Sequence, residues 1–575
     1  MQKAICSLLL LVGLVQTKAQ DLLNLSQPQP QYEVRAVWLT TYSGLDWPAR
    51  PARTTQQAEA QQKALCQILD QLQAAGINTV LFQARLRGTT AYSSAIEPWD
   101  AIFTGTAGKA PTFDPLAFAI KECHRRGMEL HAWMVAFPIG NAKAMKSLGR
   151  QGIAQKQPSL CRLCGDQWMM DPGVPETADY LARLCEEVAK NYDVDGIHLD
   201  YIRYPEQSIP WNDRKTYAKY GGGKPVADWR RDNVTRVVRK IHERVKAVRP
   251  WIKMSCSPVG KRADLPRQSS YGWNARDAVW QDAQAWLAEG LMDMLFPMMY
   301  FDGRHFYPFA QDWQETSTGK PVVPGLGIYF LSEKEKNWPL SVITRQLHFT
   351  RQLHIGGSAH FRSRFLTDNV KGLYDYLQKS FYRQPAKLPP MTWLDSVAPP
   401  TPQVAQTAEN WTIKLTWKRV KDNNIDVPVS YNVYRLNESA GNHAPVLLAT
   451  RLDTTAFDFH PTLPGQMADR YVVTAVDAYG NESPLPQVNH TADRPTDGEN
   501  PISICHDRLT LPDSVEKAPF VLVCDLSGRA LLTQPMERHI DLHRLKPGSY
   551  ELRTLGEKGR SRRIMFFRKT PTTVE

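Results

Sequence analysis

Between residues 33 and 380 the hydrophobic positions alternate between two periods. Short apolar runs of strand length are each followed by a segment whose apolar residues recur at helical spacing. Cap and stop residues mark one such helix, which begins at Asp114-Pro115 and ends at Gly127. The predicted strands are residues 34–41, 77–86, 128–135, 195–202, 252–260, 292–301, 321–330 and 358–365. Eight strand–helix units predict an α/β fold, a (β/α)8 TIM barrel over residues 31–384. The alternative is an open doubly wound sheet, which usually has fewer units and a glycine-rich turn after its first strand.

Two further regions follow the barrel, and both have strand-like patterns. The proline-rich residues 385–402 are typical of a stiff linker. Residues 403–492 contain short alternating strands separated by turn signals and resemble a fibronectin type III domain. Residues 500–575 are also β-rich and resemble a C-terminal secretion sorting domain, with a plain accessory β-sandwich as the alternative. The barrel is therefore predicted to be followed by two small all-β domains.

The first residues of the chain have the pattern of an export signal. Residues 1–20 combine a short basic start, an apolar core and a small-residue exit, so we predict a cleaved signal peptide. The apolar core is too short to span a bilayer comfortably, and no later stretch is long and apolar enough to do so. We expect an exported protein, in the periplasm, at the cell surface or outside the cell, without a membrane-spanning segment after cleavage.

The charge pattern gives little support to a polyanionic partner. The formal net charge is +12, and the basic residues between Asp228 and Arg249 share their segment with an apolar stripe at helical spacing. We interpret them as the solvated face of a helix. The sequence has no nucleic-acid motif, no phosphate cradle and no cluster with good metal-ligand spacing, so no nucleic acid, cofactor or metal is expected. Cys161 and Cys164 form a lone CxxC, for which a local disulfide and two packed thiols stay open.

Candidate functional residues follow from the rule that TIM barrels carry their active groups at the carboxyl ends of the strands. The candidate catalytic carboxylates are Asp200, Glu97 and Asp171. The candidate substrate-binding residues are Trp38, Gln83, Arg85, Trp99, His131, Trp133, His198, Arg203, Tyr204 and Tyr300. Aromatic rings stack on the apolar faces of sugars, and a carboxylic acid can protonate a glycosidic oxygen. The combination favours a glycoside hydrolase acting on a polysaccharide.

Most of these candidates also have an ordinary structural alternative. Trp38 and Trp133 could fill the barrel, and His131 could be a satisfied core histidine. Glu97 could be a surface acid in a loop, and Asp171 could cap the helix that follows it. The acid that ends the strand of residues 195–202 is the strongest functional candidate, since tyrosine and arginine residues follow it directly.

Four stretches resemble the glycosyl hydrolase-like 10 family, also known as DUF187. They are FQARLRGTTAYSSAIEPWD, TGTAGKAPTFDPLAFAIKECHRRGMELHAW, MDPGVPETADYLARLCEEVAKNYDVDGIHLDYIRYP and WLAEGLMDMLFPMMYF. They occur in the family's order, and the resemblance spans roughly residues 31–380. It implies a (β/α)8 barrel and hydrolysis of a glycosidic bond in an amino-sugar polysaccharide, because members act on bacterial cell-wall glycan, notably strands stripped of stem peptides.

The resemblance also implies roles for particular residues. Asp200 falls on the family's acidic position after DGIH, and Asp171 falls on its DPG aspartate. His131 matches the HAW histidine, and Glu97 matches the loop acid before PW. Many relatives have a second aspartate directly after the first, where this chain has Tyr201. The identity of the second catalytic carboxylate therefore stays open.

We predict an exported glycoside hydrolase with Asp200 as general acid and Glu97 or Asp171 as its partner. An N-acetyl group of the substrate acting as internal nucleophile would relax the need for a second acid. The alternative is a non-catalytic carbohydrate-binding surface protein on a degenerate barrel. A second carboxylate within about 10 Å of Asp200 would favour hydrolysis. The linkage cleaved, the anomeric outcome, endo or exo action and the oligomeric state do not follow from the sequence.

Overall fold

A computed structural model describes the chain from residue 29 to residue 568 with internal gaps. The gaps are residues 207–208, 269–271, 410, 423–426, 437–444, 463–465, 467–468, 486–502, 506–507, 512–519, 526–529, 536, 547 and 556–560. The chain divides into two compact units, residues 1–391 and 392–575. The predicted signal peptide lies outside the described residues. Within these limits, no helix has the length and apolar character needed to cross a bilayer.

The first unit is built on a curled parallel sheet. Its strands are β1 (Val34–Leu39), β2 (Thr79–Arg85), β3 (Glu129–Val135), β4 (Pro138–Asn141), β5 (Cys161–Cys164), β6 (Gln167–Met170), β7 (Gly196–Asp200), β8 (Lys253–Cys256), β9 (Met294–Leu295), β10 (Gly325–Leu326) and β11 (Gly357–His360). Eight of them are hydrogen-bonded in the order β10-β11-β1-β2-β3-β7-β8-β9. Parallel bridges from Leu295 to Val322 and from Met298 to Gly325 connect the two ends of this order. The sheet is of the TIM-barrel type, as predicted. β4, β6 and β5 form a small antiparallel sheet after β3.

Helices follow the strands, and their apolar faces pack against the outward side chains of the sheet. They are α1 (Thr55–Ala74), α2 (Ala101–Thr104), α3 (Pro115–His124), α4 (Ala142–Leu148), α5 (Ile153–Lys156), α6 (Pro175–Asn191), α7 (Arg214–Tyr220), α8 (Val226–Val248), α9 (Ala275–Ala278), α10 (Ala283–Ala288), α11 (Gly303–Glu315), α12 (Leu340–Gln352), α13 (Ser363–Thr367) and α14 (Leu373–Tyr376). Asp114 caps α3, since its carboxylate accepts from the Ala117 amide at 2.9 Å. The basic helix α8 buries the predicted valine stripe, and several of its basic residues, among them Arg239 and Arg244, form partly exposed ion pairs.

The interior of the sheet has an apolar cluster and a charged network. The cluster contains inward side chains of β1, β3 and β9, among them Trp38 and Trp133. In the network, Lys253 forms an ion pair with Glu129, whose other oxygen lies 3.1 Å from Nε2 of His131. His131 is fully buried, so it occupies a core position, and the structure gives no support to its predicted contact with substrate.

Two predicted strands are much shorter in the structure. β9 and β10 have two residues each, although residues 292–301 and 321–330 were expected to be extended. Pro297 and Pro324 follow β9 and precede β10, and proline has no N–H with which to continue a ladder. After β10 the chain turns into a short 3-10 helix at Ile328–Leu331.

The second unit consists of small all-β sheets. Its strands are β12 (Val404–Glu409), β13 (Thr412–Trp417), β14 (Ser430–Leu436), β15 (Pro445–Leu452), β16 (Ala456–Phe459), β17 (Arg470–Val476), β18 (Ser503–Cys505), β19 (Arg508–Thr510), β20 (Phe520–Cys524), β21 (Ala530–Pro535), β22 (His539–Asp541), β23 (Gly548–Leu555) and β24 (Ser561–Arg568). The first six form two three-stranded sheets, β12-β13-β16 and β15-β14-β17. Trp417 is buried between core residues, and the Tyr471 hydroxyl donates to the Gln466 carbonyl at 2.7 Å. The fibronectin type III identity and the sorting role stay predictions.

Cys161 and Cys164 both lie on β5 and are free thiols, as are Cys66, Cys123, Cys185, Cys256 and Cys524. Two packed thiols, rather than a local disulfide, therefore account for the CxxC. Burial raises the pKa of Cys161 to about 12 and that of Cys164 to about 11. Burial also raises the pKa of Cys185 to about 12. These groups are protonated thiols at neutral pH.

Gly357 is predicted to be essential for the pairing of β1 with β11. Its φ is +140°, and a Cβ there would lie 1.9 Å from the Val34 carbonyl oxygen. Gly357→Ala must move the backbone of one of the two strands, and we expect a loss of roughly 3 kcal/mol of unfolding free energy. Gly319→Ala is the matched control: its φ is +79° and a Cβ would meet no atom within 4 Å. We expect it to cost about 1 kcal/mol. Thermal melting followed by circular dichroism compares the two, and equal losses would contradict the role of Gly357.

Candidate active site

Asp200 is the last residue of β7 and is held by donors from three directions. The Ser257 hydroxyl, just after β8, donates to Oδ1 at 2.8 Å, and the Tyr201 amide donates to the same oxygen at 2.8 Å. Nε1 of Trp133, on β3, donates to Oδ2 at 3.0 Å. The neighbouring strands on both sides of β7 therefore fix the carboxylate at the carboxyl end of the sheet.

The environment of Asp200 favours the protonated acid more than water would. The side chain is buried, and this burial raises its pKa above the usual value. The Ser257 hydrogen bond, the charge of Arg203 and the Tyr201 and Trp133 donors act in the opposite direction, and burial outweighs them. A carboxyl group of this kind can hold a proton at a pH where an exposed aspartate has lost it.

His198, two residues earlier on β7, belongs to a second buried polar chain. Trp38 Nε1, which can only donate, lies 3.3 Å from His198 Nε2. Burial, and then the proximity of His131, lowers the pKa of His198 well below its usual value, so the ring is neutral. A neutral ring that accepts at Nε2 carries its proton on Nδ1, which lies 3.0 Å from the Ser255 hydroxyl. Trp38 and His198 are thus packed and hydrogen-bonded beneath the site.

An aromatic surface adjoins Asp200. The Tyr300 ring lies 5.2 Å from the Phe361 ring and 5.8 Å from the Tyr329 ring. Phe361 in turn lies 5.9 Å from Trp38. Phe361 and Tyr201 pack against the cluster that contains Trp133, the residue that donates to Asp200. Burial raises the pKa of Tyr300 well above its usual value, and the negative charge of Asp200 adds to the rise. The Tyr300 ring is half-buried, so among the predicted binding residues it is the one best suited to stack on a sugar.

Glu97 is not free to act as a catalytic partner in this structure. Its two oxygens accept from Nη2 and Nε of Arg85 at 2.6 and 2.7 Å, and the Tyr180 hydroxyl donates to it at 3.0 Å. The remaining Arg85 amine donates to the carbonyls of Val135 and Ala136, the latter at 2.7 Å. Both side chains are almost fully buried. The pair fixes the backbone beside the end of β7.

Asp171 is similarly engaged. One oxygen forms an ion pair with Arg162 and accepts from the Thr216 hydroxyl at 2.8 Å, while the other accepts from the Gly173 amide at 2.9 Å. Its backbone carbonyl accepts from the Thr177 hydroxyl at 2.7 Å, at the start of α6. The N-cap residue of α6 is Val174 and no side chain caps it, so the alternative of a helix cap does not describe the Asp171 carboxylate. The structure gives no support to either Glu97 or Asp171 as the partner of Asp200.

The other predicted residues lie in varied surroundings. Gln83 accepts from the amides of Thr41 and Tyr42 and so ties the end of β2 to the segment after β1. Tyr204 is fully buried against Trp211 and Trp280, which is a packing position rather than a groove. Trp99 is half-buried, and a parallel bridge links its backbone to Thr90.

Sequence reasoning did not assign roles to Ser257, Phe361 and Trp273. Ser257 directly follows β8, and the rule of strand ends does point to it, although no role followed from the sequence. Phe361 directly follows β11 and could have been found by the same rule. Trp273 lies in a loop without periodicity, is 37% exposed and stacks 5.5 Å from the Arg203 guanidinium. No local signal in the sequence marks it. Among the described residues, no group of three or more His, Cys, Asp or Glu side chains is placed to hold a metal ion.

A buried acid and an aromatic surface at the carboxyl end of a curled parallel sheet are typical of barrel glycoside hydrolases. Residues 33–333 match the glycosyl hydrolase-like 10 family, and the chain belongs to that family. It is 32% identical to the glycosyl hydrolase YngK of Bacillus subtilis over 487 residues, which are 80% of this chain and 93% of that protein. It is also 32% identical to the glycosyl hydrolase DigH of Escherichia coli K12 over 384 residues, 61% of this chain and 88% of that protein.

Among solved structures, the chain is similar to the glycoside hydrolase domain of PgaB (BpsB) from Bordetella bronchiseptica. The TM-score is 0.43 and the sequence identity 14%, and the likeness covers 60% of this chain and 98% of that one.

Arg85 is predicted to stabilise the fold through its pair with Glu97. Arg85→Met leaves a buried carboxylate without its counter-charge, and we expect a loss of about 3 to 5 kcal/mol. The double variant Arg85→Met/Glu97→Gln removes both charges and should recover much of this loss. Urea unfolding of the three proteins provides the comparison. A single variant as stable as wild type, or a double variant no more stable than the single one, would contradict a structural role for the pair.

Proposed function

We propose that this chain is an exported hydrolase that cleaves glycosidic bonds in an amino-sugar-containing polysaccharide. Peptide-free peptidoglycan strands are the first candidate substrate. The observation that carries the proposal is the buried Asp200 carboxylate, oriented by Ser257 and by Trp133, whose cluster Phe361 packs against. The choice of substrate class rests on the resemblance to cell-wall-acting members of the family, and export rests on the pattern of residues 1–20.

Asp200 is proposed to act as the general acid. Its raised pKa supports this role, because a protonated carboxyl group must deliver its proton to the leaving glycosidic oxygen. The anomeric carbon then needs a nucleophile. The carbonyl oxygen of a neighbouring N-acetyl group on the sugar can attack it, forming a cyclic intermediate that water opens. This route requires only one acid from the protein, which suits a site in which Glu97 and Asp171 are both engaged in ion pairs.

The same engagement of Glu97 and Asp171 supports a second candidate function. A degenerate barrel that binds glycan without cleaving it would also keep aromatic surfaces and lose its second acid. This candidate predicts saturable binding of glycan strands and no new reducing ends over long incubation. The two candidates therefore differ in a single measurement, the release of reducing ends by the wild-type chain.

Asp200→Asn is expected to leave the fold intact and to abolish release of reducing ends from peptide-free glycan strands. The amide keeps the shape of the side chain but has no acidic proton to transfer. Asp193→Asn is the matched control: it makes the same change in an exposed side chain just before the other end of β7 and should keep wild-type turnover. Circular dichroism confirms folding of both. Wild-type-like turnover by Asp200→Asn would reject the assignment of Asp200.

Ser257→Ala is expected to shift the pH dependence of hydrolysis. The Ser257 hydrogen bond lowers the pKa of Asp200, so its removal raises that pKa further. A general acid works in its protonated form, and kcat/KM falls as pH rises through its pKa. The alkaline limb of the profile of kcat/KM should therefore move to higher pH. Ser255→Ala, which changes a partner of His198 instead, should leave that limb in place. An alkaline limb that stays or moves down in Ser257→Ala would contradict the acid role.

A further inference from the structure

Arg203 is a buried arginine whose charge has no direct partner in the described part of the chain. Its side chain is 5% exposed, and its Nε is enclosed without a hydrogen-bond partner. The guanidinium lies 4.8 Å from the Tyr201 ring and 5.5 Å from the Trp273 ring. Its charge acts on Asp200, yet the two do not form an ion pair. The group is therefore positioned by aromatic rings, with no carboxylate of the described chain bound to it.

The other buried arginines of the first unit show what a stable arrangement requires. Arg35 has a Glu33 oxygen at 2.7 Å, and Arg85 has a Glu97 oxygen at 2.6 Å. A buried charge without a close counter-charge is costly, and this cost is usually removed by pairing or by a bound ligand. Arg203 differs from Arg35 and Arg85 because its guanidinium lies over the ring of Tyr201, the residue that directly follows the proposed catalytic acid. A ligand in the site can therefore supply the missing counter-charge.

A second guanidinium reinforces the positive character of this region. Arg87 is half-buried and lies 4.8 Å from the Tyr42 ring, and within the described residues it has no ion pair. Burial and the charge of Asp200 raise the pKa of Tyr201, while the charges of Arg203 and Arg87 oppose the rise. The exposed carboxylate of Glu206 also acts on Tyr201, in the opposite sense. Of these two cations, Arg203 lies over the ring of Tyr201, the residue that directly follows Asp200.

We propose that Arg203 binds a carboxylate carried by a sugar of the substrate, next to the glycosidic bond on which Asp200 acts. This inference rests on the proposed hydrolase function and adds the requirement that a sugar next to the cleaved bond carries a carboxylate. A guanidinium offers two parallel N–H donors that match a carboxylate, and the rings of Tyr201 and Trp273 hold its plane in place. The carboxylate can come from a lactyl ether on an amino sugar or from a uronic acid.

Matched substrates test the inference. The first is peptide-free glycan strands with free lactyl carboxylates, and the second is the same strands after chemical reduction of those carboxylates to alcohols. The third is a polymer that alternates an N-acetylated amino sugar with a uronic acid. We expect wild-type kcat/KM to be on the order of 10- to 100-fold higher on carboxylated strands than on reduced strands. The third substrate shows whether the lactyl or the uronic carboxylate is preferred.

Arg203→Met should bring kcat/KM on carboxylated strands down to the value on reduced strands, with little further loss on the reduced ones. Arg203→Lys keeps the charge without the fork and should retain part of the preference. Arg239→Met, on the exposed face of α8, is the control and should keep the full preference. Equal wild-type rates on carboxylated and reduced strands would overturn the inference. An equal loss on both substrates in Arg203→Met would do the same, because it would point to a general effect on Asp200.

Calorimetric binding of the two strands to the Asp200→Asn chain separates this inference from the proposed function. If wild type releases no reducing ends, hydrolysis is contradicted. Preferential binding of carboxylated strands, lost when Arg203→Met is added, would still support the role of Arg203. Equal binding of both strands would reject it whether or not hydrolysis occurs.

Discussion

The site depends on the burial of one carboxylate at a strand end. A buried carboxylate is tolerated only when donors reach both oxygens, and for Asp200 these donors come from the strands or strand ends on either side of it. The registers of β3, β7 and β8 must therefore be kept, because a slip of one residue would turn Trp133 or Ser257 to the opposite face of the sheet. The helices, the charged network around Glu129 and the ion pair of Arg85 with Glu97 all stabilise this register of the strands.

The chain places its charges unequally around this carboxylate. Glu97 and Arg85 neutralise each other, and the same is true of Asp171 and Arg162. Arg203 lies against the rings of Tyr201 and Trp273, and Arg87 lies against the Tyr42 ring and donates to the Gln167 side chain; within the described residues neither has an ion pair. Glu97 and Asp171 therefore stabilise structure, while no described carboxylate forms an ion pair with Arg203 or Arg87. Such a distribution favours an anionic substrate over a neutral one. It leaves Asp200 as the proposed acid, since Glu97 and Asp171 are held in ion pairs.

Much of the fold could be predicted because its information is local. The long apolar runs of β1, β2, β3 and β7 and the capped helices are visible within short windows of sequence, and Asp200 could be found from its place at the end of β7. The shortness of β9 and β10 could not, since prolines interrupt the ladders expected over residues 292–301 and 321–330. The ion pair of Glu97 with Arg85 could not be predicted either. It joins a loop residue to a residue at a strand end, and the sequence does not show how the loop folds back onto that strand. The same loop acid would have suited catalysis equally well had Arg85 pointed elsewhere.

Three thiols of the first unit, Cys161, Cys164 and Cys185, react slowly with disulfides. Thiol–disulfide exchange proceeds through the thiolate, and burial raises the pKa of Cys161, Cys164 and Cys185 far above neutral pH. Their rates of exchange with external disulfides are therefore very low. At these three positions the first unit therefore responds slowly to the redox state of its medium.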